Sequence, residues 1–255
     1  MQKRNGNWTL TLYCQKIKIG GGDDGITFAD SQHSRIAGEA ILDMAKSYYR
    51  VAAFIDWNSQ ILLSKVNSAE NPLAAAHVAF KNTAKRISKC LTTIDPERQF
   101  VVDLRFYHGW HKGFEPSANR KAITQVISDT DFSALSDKRA VVFSAIVGFG
   151  DCLLSALPSR MHNNLSIHLP NTLRDRGKGN EEKMVDTALA ADLIVTAYQE
   201  PGDWILVAAE DDDLIPPLFV AEAIGNRAGS RVLLLSKRIR SKNFLKLDNI
   251  SMDGQ

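Results

Sequence analysis

Several short runs of this chain are apolar at every position. Trp204-Ile205-Leu206-Val207-Ala208-Ala209, Ala140-Val141-Val142-Phe143 and Val232-Leu233-Leu234-Leu235 are the clearest. A strand with one wet face alternates polar and apolar residues; a strand with no polar face must be covered on both sides. Between these runs lie stretches with helical spacing. From Pro72 to Thr93, Leu73, Ala76, Phe80, Ala84, Ile87 and Leu91 share one helical face, and the proline stands in the first turn where it is tolerated. Arg35–Tyr49, Lys121–Ile127, Glu181–Tyr198 and Ile215–Ile224 read as further helices. Residues 50–56, Phe100–Tyr107, 140–147, Leu165–Leu169, 204–209 and Arg231–Ser236 read as strands. Strands alternating with helices predict an α/β fold, a three-layer, Rossmann-like parallel sheet flanked by helices. The chain of 255 residues holds one such domain, expected at 46–240. Weak alternation around Trp8, Leu10 and Leu12 predicts a small β-rich extension over 1–45, a hairpin or flap, and residues 241–255 form a basic tail.

Acids collect where these runs end. Asp56-Trp57-Asn58 follows Ala53-Phe54-Ile55, and Glu210-Asp211-Asp212-Asp213 follows Ala208-Ala209. Asp186 stands near the start of a helix. In parallel sheets, ligands bind outside the carboxyl ends of the strands. Carboxylates gathered there cannot all stay ionised without a counter-charge. A hard divalent cation supplies it, and a phosphodiester is the natural substrate of such a site. Acids at strand ends also serve as turn residues and helix caps, so each cluster alone has a purely structural reading.

The remaining composition narrows the field. Net charge is +2, which by itself implies no nucleic-acid partner; the placement of charge says more. Lys237, Arg238, Arg240, Lys242 and Lys246 form one basic run, and Arg174, Arg176, Lys178 and Lys183 precede Asp186. Either group fits phosphate contact, or a solvated tail and linker. Cys14, Cys90 and Cys152 are odd in number and widely spaced, which suggests neither a disulfide framework nor a zinc site and favours a reducing, cytoplasmic setting. No signal peptide or membrane-spanning run is recognisable. Gly20-Gly21-Gly22-Asp23-Asp24-Gly25 puts acids where a phosphate would sit, so it reads as a turn.

The ordered acidic motifs resemble the NYN (LabA-like) branch of the PIN-like nucleases. Phe54-Ile55-Asp56-Trp57-Asn58 looks like that family's first motif. Lys183-Met184-Val185-Asp186, continuing to Asp192-Leu193, is similar to its acidic helix. Trp204 to Pro216, with Asp211 and Asp213, resembles its last strand and acidic turn. Two departures stand out: Ala209-Glu210 replaces the family's Ser-Gly, and Trp57-Asn58 is one residue tighter than its usual form. The resemblance implies a PIN-like sheet and a metal-dependent endoribonuclease. Asp56, Asp186, Asp211 and Asp213 would hold Mg²⁺ or Mn²⁺ and carry catalysis. Asn58 would orient Asp56 or a water, and Glu210 is a further candidate ligand. Asp192, at ~100° per residue, points away from Asp186 and would act behind the ligands or pack the helix. Arg174, Arg176, Lys178 and Lys183 would guide RNA. Small nucleases of this kind often act in pairs, so a homodimer is an expectation.

His108-Gly109-Trp110-His111-Lys112 ends a strand and could border the same cleft, with the histidines on metal or RNA and Trp110 stacking a base. More often such residues form an ordinary polar loop around one packed aromatic. Asp103 inside its strand faces either the cleft or a helix. Two other functions remain in view: an RNA-binding regulatory module of the same fold with weak catalysis, motivated by the two departures, and a DNA or flap nuclease.

Overall fold

The computed structural model describes residues 48–154, 169–177, 179–225 and 229–237. The extension at 1–45, the tail at 241–255, Lys178, the basic run beyond Lys237 and most of the strand expected at Leu165–Leu169 lie outside them. Strand β1 (Tyr48–Asp56) runs into helix α1 (Trp57–Ser64), followed by α2 (Pro72–Ile94) and β2 (Gln99–Tyr107). A two-residue hairpin, β3 (His111–Lys112) and β4 (Glu115–Pro116), leads to α3 (Ala118–Asp129), then β5 (Val141–Phe143) and β6 (Gly148–Phe149). A second hairpin, β7 (Leu173–Asp175) and β8 (Asn180–Glu182), precedes α4 (Val185–Gln199). Strand β9 (Trp204–Ala208), α5 (Ile215–Gly225) and β10 (Val232–Leu235) follow.

The central sheet has strand order β10-β9-β1-β2-β5, with β6 also on β2, and each pairing in it is parallel. The fold is therefore α/β with a parallel sheet flanked by helices, as the apolar runs require. The side-chain period of two sorts each strand between two cores. Val51, Ala53 and Ile55 of β1 join Phe100, Val102, Leu104 and Phe106 of β2 under α1–α3. Phe54 of β1, with Ile205 and Val207 of β9, packs instead under α4 and α5. Full burial of each such side chain contributes roughly 1.5–3 kcal/mol.

Some elements differ from expectation. Helix α1 has no counterpart among the expected helices. Asp56 caps it and Lys65, in the left-handed conformation, ends it, so its signal is a cap inside a motif read for chemistry. Tyr48 and Tyr49 belong to β1, not to a preceding helix. The strand expected over 140–147 is shortened to Val141–Phe143, a separate two-residue strand, Gly148–Phe149, follows beyond it, and Leu169 is in no strand. The helix expected from Glu181 begins only at Val185, because Asn180–Glu182 pairs with Leu173–Asp175 as a hairpin. None of the helices among the described residues is long and apolar enough to cross a membrane.

Candidate functional site

The strand order reverses at β1. The chain moves from β1 to β2 and β5 on one side, then returns to lay β9 and β10 on the other. The carboxyl ends of β1 and β9 are adjacent, with Ile55 opposite Ala208. A crevice at such a reversal is where open α/β sheets bind ligands. Asp56 closes β1 there, and Asp211 begins the turn after β9.

Asp56 is only 8% exposed. As the cap of α1 it accepts hydrogen bonds from the Ser59 N–H, at 3.4 Å, and from the Ser59 hydroxyl. Burial pushes its pKa up to about 6, a shift that the Ser59 bonds oppose and the nearby Glu182 and Asp186 carboxylates reinforce. Asn58 does not hold Asp56. It is exposed, and Ser59 does the orienting expected of Asn58. Ser59 Oγ also accepts the Glu210 N–H at 3.2 Å, which ties α1 to the end of β9.

Asp186 lies in the first turn of α4, whose N-cap, Met184, makes no side-chain capping bond. Partial desolvation raises the Asp186 pKa, and the Asp211, Glu182 and Asp213 carboxylates raise it further. Asp211 accepts the Asp213 N–H at 3.0 Å and so caps the short 3-10 turn Asp212–Leu214. Asp56, Asp186, Asp211 and Asp213 thus come from distant segments to one electrostatic neighbourhood. Among the described residues, no three acidic, histidine or cysteine side chains stand close enough to coordinate one ion together.

Glu182 is a member of this neighbourhood that sequence reasoning missed. Burial opposes its ionisation, but His108 and the Gly109 N–H outweigh this and hold its pKa below the ordinary range. Glu182 Oε1 accepts the Gly109 N–H at 2.5 Å and pairs with His108 Nδ1. His108 Nε2 in turn lies 2.6 Å from Asn119 Nδ2. Space at Gly109 is tight: a Cβ would stand 2.8 Å from Leu173 Cδ1, 3.1 Å from the Thr172 carbonyl and 3.2 Å from Glu182 Oε1, so a side chain there would crowd the Glu182 contact. The available signal is Glu181-Glu182-Lys183, which by sequence reads as the start of the helix.

Other candidates have different roles. Glu210 accepts from Ser236 Oγ at 2.8 Å and from the Lys237 N–H at 2.9 Å, so it fastens β9 to the end of β10. Asp192 is fully buried; it accepts from Arg105 Nε at 2.9 Å, Tyr107 OH at 2.8 Å and the Leu154 N–H at 2.8 Å. It packs α4 against β2, the second of the two roles expected. Trp110 is fully buried, edge-on to Phe149 and His108, with its indole N–H on the Phe106 carbonyl. It is a core residue and presents no face to a base. His111 is buried 3.4 Å from Asp151, which also binds Arg120 at 3.1 Å. Asp103 pairs at 2.9 Å with Arg50 on the neighbouring strand, away from the carboxyl edge.

The basic group before Asp186 is a hairpin rather than a linker. Arg176, itself exposed, and Lys183 both pair with Glu181, whereas the exposed Arg174 makes no ion pair among the described residues. Compared with known proteins, the chain matches no family model, and no curated protein matches it.

Proposed function

We propose that this chain is a metal-dependent endoribonuclease with a PIN-like sheet. One observation carries the reading: at the carboxyl edge of the sheet, beside the reversal of strand order, burial raises the pKa of Asp56 and of Asp186, and neighbouring carboxylates from separate segments raise both further. The donor set fits a hard cation. It is all oxygen and acidic, and Mg²⁺ takes one or two protein carboxylates, completing its shell with water and phosphate. One or two of Asp56, Asp186, Asp211 and Asp213 would hold Mg²⁺ or Mn²⁺ directly and the others through its water shell; the ion when bound would acidify a water and neutralise charge on the attacked phosphate.

The protein's own part is positioning. Ser59 fixes Asp56, and the Asp211 cap fixes the turn that carries Asp213. His108 and Gly109 keep Glu182 ionised beside Asp56, so the edge stays negative and favours cation entry. Water oxygen forms a bond to phosphorus as the bond to O3′ breaks. The departing O3′ takes a proton, leaving a 3′-hydroxyl and a 5′-phosphate.

Incubation with total cellular RNA in Mn²⁺ or in EDTA, followed by mapping of the cut ends, tests this. Asp56→Asn and Asp211→Asn should each lose Mn²⁺-dependent cleavage while remaining folded; undiminished cleavage in both would overturn the assignment. The committed oxygens of Glu210 favour one second reading, an RNA-binding module with weak catalysis, because the residue replacing the family's Ser-Gly is spent on structure. Tight RNA binding without Mn²⁺-dependent turnover selects it, and matched DNA oligonucleotides expose a deoxyribonuclease.

A further inference from the structure

Helix α2 carries Lys81, Lys85, Arg86 and Lys89 and no acidic residue from Pro72 to Ile94. Lys85 and Lys89 are exposed and four apart, a spacing at which like charges repel along a helix. Neither makes an ion pair among the described residues. They line an open groove of about 280 Å³ between α1 and α2, together with Arg86, Gln60 and Lys237, and no carboxylate lines it among the described residues.

The groove leads to the carboxylate edge. Arg86 Nη1 donates to Gln60 Oε1 at 2.8 Å, and Arg86 Nη2 lies 4.0 Å from Glu210 Oε1. Gln60 Nε2 donates to the Ala208 carbonyl at the end of β9, at 3.2 Å. Its neighbour Ser59 holds Asp56. The inner wall of the groove is therefore built from the same short stretch of α1 that positions the buried aspartate.

We propose that this groove holds the phosphodiester backbone of a single nucleic-acid strand beside the cleaved bond. The identity of the polymer rests on the function proposed above; the groove itself does not. Lysines on flexible stems meet phosphates as point charges and read no sequence. The volume is at the small end for a ligand pocket, which suits a nucleotide or so of one strand and excludes a duplex. The charge on α2, with its internal repulsion, is relieved when phosphates occupy the groove.

The test is binding of a short fluorescent single-stranded RNA, followed by anisotropy in EDTA across a range of salt. The double variant Lys85→Ala/Lys89→Ala should bind about tenfold more weakly at low salt. Its slope of log affinity against log salt should flatten by about 1.4, since each phosphate of a single strand left without its lysine lowers the slope by about 0.7. Lys138→Ala/Arg139→Ala, which removes equal charge just before β5 at the opposite edge of the sheet, should change neither. An unaltered slope in the first variant, an equal loss in the second, competition by polyglutamate as strong as by RNA, or no RNA binding by the wild type would each overturn the proposal. Cleavage is silent in EDTA, so the two readings fail separately. If the wild type never cuts RNA but the lysine pair still weakens binding, the groove stands and the nuclease assignment falls.

Discussion

Asp56 sits where its charge is costly. Burial pushes its pKa up to about 6, with Glu182 and Asp186 adding to the effect. A carboxyl whose folded pKa lies above its unfolded value binds its proton more tightly when folded. Its contribution to stability is therefore full below about pH 4 and is lost as pH rises through about 6. The shift corresponds to about 3 kcal/mol of strain at neutral pH. Glu182, with its lowered pKa, has the opposite sign: its contribution is present above the ordinary carboxylate range and lost as pH falls. Asparagine also caps helices well, so Asp56→Asn keeps the Ser59 contact while removing the buried charge. In EDTA, that variant should be about 2 kcal/mol more stable than wild type at about pH 8 and nearly equal to it at about pH 4, by urea unfolding. Equal stability at both pH values would show that Asp56 is not strained. A residue that destabilises its own fold at the pH where it would act is the pattern expected of a binding group.

At the scale of elements, α4 presents one acid to the site and one to the core. Asp186 lies in its first turn, and Asp192 is buried on another face between Arg105, Tyr107 and the Leu154 N–H. Burial raises the Tyr107 pKa well above its ordinary value, so its hydroxyl stays a donor to Asp192. Removing one partner from a buried ion pair leaves an uncompensated charge and costs about 3–5 kcal/mol. Asp192→Ala should lose stability by that amount in urea unfolding, yet bind Mn²⁺ with wild-type affinity below its melting temperature. Lost Mn²⁺ affinity without lost stability would place Asp192 among the ligands instead. The spacing between the two acids tells them apart in advance, because helical geometry is local. The hairpin that delivers Glu182 was not legible, since Asn180–Glu182 carries no strand pattern of its own and is held by pairing with Leu173–Asp175.

For the whole molecule, the parallel sheet and its reversal at β1 bring Asp56 and Asp211 together from opposite ends of the domain. Ligands that bind only the folded state raise its stability, by about 2.7 kcal/mol at a hundred times the dissociation constant. Mn²⁺ should therefore raise the melting temperature, more at about pH 8 than at about pH 5 because protons compete for the carboxylates. Asp56→Asn and Asp211→Asn should abolish the shift; a shift unchanged in both would put the cation elsewhere. The amino-acid order alone determined the α/β class, the covered strands and the acids at their ends, because hydrophobic periodicity and strand termination are written within a few residues. It also exposed the basic charge of α2, though not its meaning, since nothing local says what a helix faces. Only the tertiary structure decided that Ser59 rather than Asn58 holds Asp56, that Trp110 belongs to the core, that Glu210 is spent on β10 and that Glu182 joins the acidic edge. Each of those depends on segments far apart in the chain meeting, and they meet only once the sheet has closed the distance.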